Sequence, residues 1–464
     1  MSWFFVTSWL VSVFLLIFRY MENSFEKIVS FTKRRGFIFQ SSDIYGGLGG
    51  FYDFGPLGVE LKKNIKDSWW KAMVQKRDDI VGLDSSIIMN PNIWKASGHT
   101  DNFTDPLAEC TGCHKRFRAD HLEDKTKCPE CGSKMMESRN FNLMFRTFIG
   151  PVEDSASVAY LRPETAQGIF VNYKNILDTQ RVKIPFGIAQ IGKAFRNEIT
   201  PGNFIFRVRE FEQMEMEYFV KPGTEEEIFK KWVDERMRWY VEDLGIKKEN
   251  LRIRKHEKDE LAHYAKDCVD IEYKFPIGWS EIEGIASRGN FDLTQHQNNS
   301  GQDLNYYEEA TKEKYIPYVI EPSCGVERTL LAILCDAYTE VEGGRSTTTE
   351  AVKEMEFLLK LNKKIAPVKV AILPLVKNKE NITGKAREVY EMLKPHFNVQ
   401  YDEVGAIGRR YRRHDEIGTP YAITIDFETL ENNDVTLRDR DTMEQKRVKI
   451  EDLISILKKD IYEN

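Results

Sequence analysis

Residues 185–220 read PFGIAQIGKAFRNEITPGNFIFRVREFEQMEMEYFV, two polarity-alternating runs joined at Thr200-Pro201-Gly202-Asn203. Alternation with a Pro-Gly-Asn link predicts a β-hairpin and sorts its side chains by face. On the first strand Gln190, Arg196 and Glu198 fall with the small Gly192 and Ala194, while Ala189, Ile191 and Phe195 oppose them. On the second, Arg207, Arg209, Phe211, Gln213, Glu215 and Glu217 share a face, against Val208, Met214, Met216, Tyr218 and Val220. A solvated outer face would also be polar. Three arginines around an aromatic, with small residues opposite, suit a flat π-system that carries phosphates.

Upstream, a short charged helix over 26–35 precedes the glycine-rich IYGGLGGFYDFGPLG, residues 44–58. Its glycines match neither G-x-G-x-x-G nor the Walker pattern, so it reads as a turn. Leu57, Leu61, Ile65, Trp69 and Met73 recur every fourth residue, which predicts an amphipathic helix. A strand over 80–89, closed by Asn90-Pro91, follows; helix and strand together read as a packing or dimer element. Cys110, Cys113, Cys128 and Cys131 form two C-x-x-C pairs. Four thiolates so spaced suit one tetrahedral structural Zn²⁺ per chain, the alternative being a redox dithiol. His114 and His121 read as surface residues. In YLRPETAQGIF, residues 160–170, Pro163 is placed at the first helical position, with Arg162, Glu164 and Gln167 around the helix start.

Downstream, the highly charged 222–266 reads as a peripheral helical insertion. Strands return at 268–275 and 279–286, the second carrying Glu281 and Glu283 on one face, followed by Arg288. YIPYVIEPSCGVERTLLAILCDAY, residues 315–338, reads as strand, tight turn at Gly325, and apolar helix. Arg328 stands in that helix's first turn, where the macrodipole disfavours a cation, so an anionic ligand is expected there. A helix and linker occupy 347–365. An α/β pattern fills 366–464, with GRRYRRH at 408–414 as a local basic knot suited to RNA phosphates and an unstacked base.

Net charge is −6, so no global basic field advertises a nucleic-acid partner. The 41% hydrophobic and 30% charged fractions are those of a globular protein. The seven cysteines are too scattered for a disulfide framework and point to a reducing compartment. Residues 3–18 are nearly all apolar, short for a membrane span and without preceding basic residues. Residues 1–20 are therefore expected to be a dispensable leader outside the fold, and no membrane association is expected.

Three segments together resemble the signature motifs of class II aminoacyl-tRNA synthetases. The helix–strand–proline ending at Pro91 is similar to motif 1, FRNE (195–198) with RVREFEQME (207–215) to motif 2, and GVER (325–328) to motif 3. Longer strings, YDFGPLGVELK, LRPETAQGIF, GKAFRNEI, EPSCGVERTL and GRRYRRHDEIGTP, resemble the dimeric type of glycyl-tRNA synthetase, from about Ser24 to the C-terminus. Ser323 replaces the first glycine of the class pattern, as it does in that family's EPS string.

The resemblance implies an α+β fold: a class II antiparallel sheet flanked by helices over 21–346, a zinc-knuckle insertion at 92–160, and a C-terminal α/β anticodon-binding domain over 366–464. It implies that Arg196 holds the ATP α-phosphate, Glu198 the adenine amino group and Arg328 the γ-phosphate, while Phe211 stacks on the ring. Asn197, Phe206, Arg207, Val208, Arg209, Glu210, Glu281, Ile282, Gly325, Val326 and Glu327 complete the implied ATP site, with Mg²⁺ at Glu281 and Arg207 as a support. Glycine would be read by Glu164, Glu321 and Ser323, together with Arg118, Phe211, Glu212, Gln213, Met214, Glu215, Pro322, Cys324 and Gly325, and Arg288 as a carboxylate partner. Arg409, Arg410, Arg412 and Arg413 would meet tRNA. The implied protein is a cytoplasmic homodimer that joins glycine to tRNA(Gly) through a glycyl-adenylate, with Arg196 and Arg328 as catalytic residues. Two alternatives are a class II synthetase for another small amino acid and a non-catalytic synthetase-like RNA-binding protein.

Overall fold

The computed structural model describes residues 25–261, 265–342 and 355–463; the expected leader at 1–20 lies outside them. In chain order the elements that position the site are α1 (Pro56–Trp70), β1 (Ile80–Gly82), α2 (Ala166–Gln180), β2 (Phe186–Phe195), β3 (Glu210–Val220), α3 (Glu225–Arg238), β4 (Leu251–Lys255), β5 (Asp267–Phe275), β6 (Gly278–Gly289), α4 (Phe291–Ser300), β7 (Tyr318–Gly325) and α5 (Val326–Ala337). The strands form one seven-stranded sheet in the order β4-β5-β6-β7-β3-β2-β1. All neighbours are antiparallel except the β1–β2 pair.

Both faces of the sheet are covered, and alternation decides which residues go where. Met214, Met216, Tyr218 and Val220 of β3 join Leu61, Ile65 and Trp69 of α1, Trp232 of α3 and Leu330 of α5 in the larger core. Phe219 of β3, with Phe186 and Ile188 of β2, packs against Ile169, Phe170 and Tyr173 of α2 and Leu293 of α4. Burying apolar side chains on both faces, at ~25 cal/mol per Å², is what stabilises the sheet that carries the cleft.

The predicted hairpin is present, but both strands stop short of the arginines. β2 ends at Phe195 and β3 begins at Glu210, so Arg196, Glu198, Arg207 and Arg209 lie in the connecting loop. Arg196 N donates to Arg209 O, after which Asn197 N turns away to Leu143 O (2.7 Å). A left-handed pair, Asn203 and Phe204, then opens a helical turn at Phe204–Phe206. The gap beside Gly192 is also not ligand space. A Cβ there would stand 2.2 Å from Arg162 Nη2, so the glycine admits the buried Arg162 beneath the sheet.

Other expectations shift similarly. Of the strand expected over 80–89, only β1 is a strand of the sheet, with a single further bridge between Ile88 and Leu161; Asn90 instead caps a helix, Pro91–Ala96, by accepting from Asn92 N. α2 begins after Thr165, so Pro163 and Glu164 precede it outside the helix, and Thr165 makes no capping bond because its hydroxyl serves Glu215. The segment 222–266 is neither wholly helical nor peripheral: Trp232, Val233 and Arg236 of α3 are buried, and β4 is the edge strand of the main sheet. Glu281 and Glu283 do not share a face. A bulge puts Ile271 opposite Glu283 and Glu272 opposite Glu281, which sends Glu283 into the core while Glu281 faces the cleft. The expected helix and linker at 347–365 falls partly outside the described residues; within them Glu356–Leu359 is a strand paired with Tyr338–Val341.

The C-terminal region forms a five-stranded sheet in the order 399–401, 370–374, 421–425, 434–439, 445–449, parallel for the first three and antiparallel thereafter. Its core is separate, built on Val370, Ile372, Ile382, Val389, Ile423 and Leu453.

Candidate active site

The cleft opens over the polar face of β3, β7, β6 and β5, and encloses about 330 Å³. It divides into a carboxylate-rich end and an arginine-rich end.

At the carboxylate end, register sets the geometry: Glu215 faces Ser323, and Ala286 faces Glu321. Glu215 is buried and heavily bonded, accepting from Ser323 Oγ (2.7 Å), from Gln213 Nε2 (3.1 Å) and from the Thr165 hydroxyl. Burial, and then the neighbouring Glu321 and Glu164, raise its pKa to about 7. Glu321 pairs with the buried Arg288, whose Nε also holds Asp292 Oδ2 at 2.9 Å. Burial, opposed by Arg288 and aided by Glu164, lifts the Glu321 carboxyl above the ordinary range. Glu164 goes the other way: burial would raise it, but His99 at 3.3 Å, Arg288 and the Gln167 amide hold it ionised to very low pH. A line of carboxylates on a buried sheet face has one evident ligand class, a small cation.

At the arginine end, Arg196 lies over Phe103 and Phe211, 5.5 and 5.4 Å from the ring centres. Its Nε donates to Pro163 O, and among the described residues its terminal nitrogens donate to nothing. Arg328 leaves the first turn of α5 to stand 4.5 Å over the Phe206 ring, with Nε on Phe206 O and Nη1 on Glu281 Oε2 at 3.0 Å. Burial raises the Glu281 carboxyl, but Arg328 outweighs it and the net shift is downward. Gly325 has an ordinary φ of −85°, so the turn does not require glycine. A Cβ there would meet nothing within 4 Å, so the missing side chain leaves room in the cleft.

Of the sequence-predicted ATP residues, Arg196, Glu198, Phe206, Arg207, Val208, Phe211, Glu281, Ile282, Gly325, Glu327 and Arg328 line the cleft. Arg209 does not: it donates to Glu198 O and Gly49 O, fastening the loop to the glycine-rich turn. The expected roles of the two arginines are thus exchanged, since Arg207 faces the cleft and Arg209 supports. Asn197 is held by its backbone outside the cleft, Glu210 pairs with Lys193, and Val326 is core.

Of the predicted glycine residues, Glu164, Phe211, Gln213, Glu215, Glu321, Ser323, Cys324 and Gly325 line the same cleft. Met214 faces the opposite core, Pro322 alternates away from the lining residues, and Arg118 pairs with Asp105 and Asp120 on the small insertion sheet. Glu212 is bound by Lys62 and Lys66. Arg288 is engaged by Glu321 and Asp292, so it is bound to carboxyls of the protein and does not line the cleft.

Sequence reading missed several contributors. Lys62 of α1, nearly buried, donates to Glu327 Oε1 (2.6 Å) and Glu212 Oε2 (2.8 Å), while Glu327 Oε2 accepts from Glu212 N. One lysine thereby ties together segments from all three signature motifs. Asp270 and His256, 2.8 Å apart, line the cleft beside Glu281. Asp270 alternates with Cys268 on β5, a spacing that could have placed it there.

Away from the cleft, the four predicted metal ligands converge. Cys110 Sγ lies 3.4 Å from Cys131 Sγ, Cys113 Sγ lies 3.7 Å from Cys128 Sγ, and all four fall within 4.8 Å of one another. Tetrahedral Zn–S bonds of about 2.3 Å would separate sulfurs by ~3.8 Å, so the set fits. Gly112 N and Cys113 N donate to Cys110 Sγ, the bonds of a tight knuckle. His114 and His121 are exposed and outside the cluster. In the C-terminal region the basic knot is the helix Ile407–Glu416, on which Arg409 and Arg413 are exposed. Arg410 is buried and donates to Pro374 O, Leu375 O and Asp402 O, so it is structural and not a phosphate ligand. Tyr411 likewise binds Thr424 under the Arg438 guanidinium instead of offering a free ring.

Two family models match the chain: tRNA synthetase class II core domain (G, H, P, S and T) over residues 151–337, and Anticodon binding domain over 369–460. The glycine–tRNA ligase of Thermobifida fusca (strain YX) is 54% identical over 450 residues, covering 93% of this chain and 96% of its own. That of Treponema denticola is 54% identical over 443 residues, with 94% and 97% covered. That of Clostridium acetobutylicum is 52% identical over 472 residues, with 95% and 99% covered. With a class II core, an anticodon-binding unit and this likeness along nearly its whole length, the chain belongs to the glycine–tRNA ligase family of class II aminoacyl-tRNA synthetases.

Proposed function

We propose that this chain activates glycine with ATP and transfers it to tRNA(Gly), in the cleft just described. The observation that carries the reading is the division of that cleft, with buried carboxylates at one end and arginines stacked on aromatic rings at the other. Glycine's ammonium lies among Glu164, Glu215 and Glu321, and its carboxylate faces the ATP α-phosphorus. The carboxylate oxygen attacks phosphorus, the bond to the β-phosphate oxygen breaks, and pyrophosphate leaves. A hydroxyl at the tRNA 3′ end then attacks the glycyl carbonyl, and AMP departs. Both nucleophiles belong to substrates, so the protein acts by positioning and charge stabilisation.

Arg196 presents its free terminal nitrogens to the α-phosphate, and Arg328 exchanges Glu281 for the γ-phosphate. Glu281 and Asp270 converge on the space above Gly284, their oxygens 3.9 and 4.0 Å from where a Cβ would stand. Those two carboxylates would hold Mg²⁺, which neutralises phosphate charge when bound. A larger amino acid is refused by overlap with the carboxylate walls, a stronger discrimination than the ~1–3 kcal/mol that a missing methylene supplies. The four cysteines would hold a structural Zn²⁺, and Arg409, Arg412 and Arg413 meet the anticodon stem. The expected dimer finds support in the exposed Ile44 and Tyr45, 89% and 86% accessible. The site of action is the cytoplasm; among the described residues no helix is long and apolar enough to cross a membrane.

ATP–pyrophosphate exchange with a panel of amino acids tests the reading. Exchange with glycine, and at least about a hundredfold less with alanine or serine, is expected; exchange led by another amino acid, or none, overturns it. Arg328→Ala should lower glycine-dependent exchange by orders of magnitude with little change in Tm.

A further inference from the structure

One group at the carboxylate end has no place in the reaction just described. Glu217 lies on β3 two residues beyond Glu215, is fully buried, and faces the same way. Neither of its oxygens is reached by a donor among the described residues. A carboxyl oxygen of Glu217 lies within 4.8 Å of one on Glu215 and one on Glu321. An ionised carboxylate with no donor, in the interior, beside two more, would be the costliest group in the site.

The elements packed against Glu217 settle its protonation. Glu215 faces it from its own strand, Glu321 from β7, and Arg288 from β6; Glu164 and Asp292 extend the acidic set. Arg288 already binds both Glu321 and Asp292. Two carboxyls without a donor between them meet stably in one way, by sharing a proton.

Resting on the reading that Glu215 and Glu321 receive the glycine ammonium, we propose that Glu217 is a neutral carboxylic acid whose O–H donates to the Glu321 carboxylate and holds it in position for the ammonium. Glu217 is thus a positioning residue for glycine, not a third anion that reads it. The division of labour follows from depth. Glu215 and Glu321 line the cleft, whereas Glu217 lies behind them against the second core at Phe219. Burial, and then Glu321, push its carboxyl far above the ordinary range, in keeping with the geometry. The neutral acid leaves the ammonium facing fewer formal charges, and it prevents Glu321 from swinging wholly onto Arg288.

The test compares wild type, Glu217→Gln and Glu217→Ala as full-length proteins. Gln keeps a neutral donor at the same reach. Glu217→Gln should hold KM for glycine within about threefold of wild type, while Glu217→Ala raises it roughly tenfold or more with KM for ATP unchanged. Infrared spectra of the wild type should contain a buried protonated-carboxyl band that Glu217→Gln lacks. A Gln variant as damaged in glycine KM as Glu321→Gln, or an unchanged carboxyl band, would overturn the proposal. So would an Ala variant indistinguishable from wild type. If the Ala variant does not fold, the Gln kinetics and the infrared band still decide. If wild type fails to activate glycine at all, the functional reading falls, and the band still reports where the proton sits.

Discussion

Arg328 and Glu215 each carry something that a ligand would displace, a carboxylate partner in one case and a proton in the other. Arg328 is satisfied by Glu281 and by the Phe206 carbonyl, so a phosphate bound there as proposed would exchange partners with the arginine and would not meet an idle cation. Glu215, with its pKa raised to about 7 by burial and its acidic neighbours, is largely protonated at pH 6. An ammonium ligand favours its ionised form, so glycine binding at that pH should release a proton. Calorimetry in buffers of different ionisation heat should detect the release, diminishing above pH 8 and absent in Glu215→Gln. The stability consequence has a fixed sign. The folded pKa lies above the unfolded value, so Glu215 stabilises most below the unfolded carboxyl pKa and loses that contribution as pH rises to about 7. Most of the cleft's residue types were legible from motifs 2 and 3, because those strings lie on adjacent strands. His99 and Lys62 were not, since each meets a cleft residue only through tertiary packing.

Among elements, the cysteine module depends most on something besides its own packing. Its buried cluster is Ala108, Cys110, Ala119, Cys128 and Met135, and two of those five belong to the four-cysteine set that could hold a metal ion. That is too little apolar surface for independent stability, and metal binding at the proposed Zn²⁺ site would supply folding energy. A strong chelator should raise hydrogen exchange across 104–142 while the strands β2 and β3 stay protected, and metal analysis before treatment should find about one Zn²⁺ per chain. Equal protection with and without chelator would remove the metal from the argument. The hairpin illustrates what alternation can and cannot reveal. The faces of β3 follow the pattern from Phe211 to Val220, because period-two packing on two cores enforces it. The loop 196–209 does not, because its shape is set by bonds to Leu143 and Gly50, which no local pattern encodes. The bulge opposite Ile271 is equally invisible in sequence, and it alone separates Glu281 from Glu283. Glu283 is then free to meet Arg236 of α3, both 1% exposed, as an ion pair inside the larger core.

For the whole molecule, the segment that leads into the C-terminal unit touches α1 and is followed by one unusual lysine. Asn64 of α1 donates to Ile365 O and Ala366 O, and Lys369, 4% exposed, donates its ammonium to Lys363 O (3.1 Å) and Lys364 O (2.6 Å). Burial, only partly offset by Glu60, lowers its pKa to about 7. The unfolded chain therefore binds the extra proton between about pH 7 and the ordinary lysine range, and stability from this group rises with pH across that window. Lys369→Met should gain most against wild type at or below pH 7, and the difference in Tm should move in favour of wild type toward pH 10. A pH-independent difference would show that burial of the charge is not the cause. Two domains were legible from the change to an α/β pattern near residue 366, whereas the strand Glu356–Leu359 that returns to the first domain was masked by its charged surroundings. Lys62 has a last implication, one of time rather than space. Its partner Glu327 lies 265 positions downstream. The floor of the ATP cleft therefore cannot close during most of the chain's own synthesis, and partial chains, however well their earlier helices and hairpin form, leave the ribosome without a finished site.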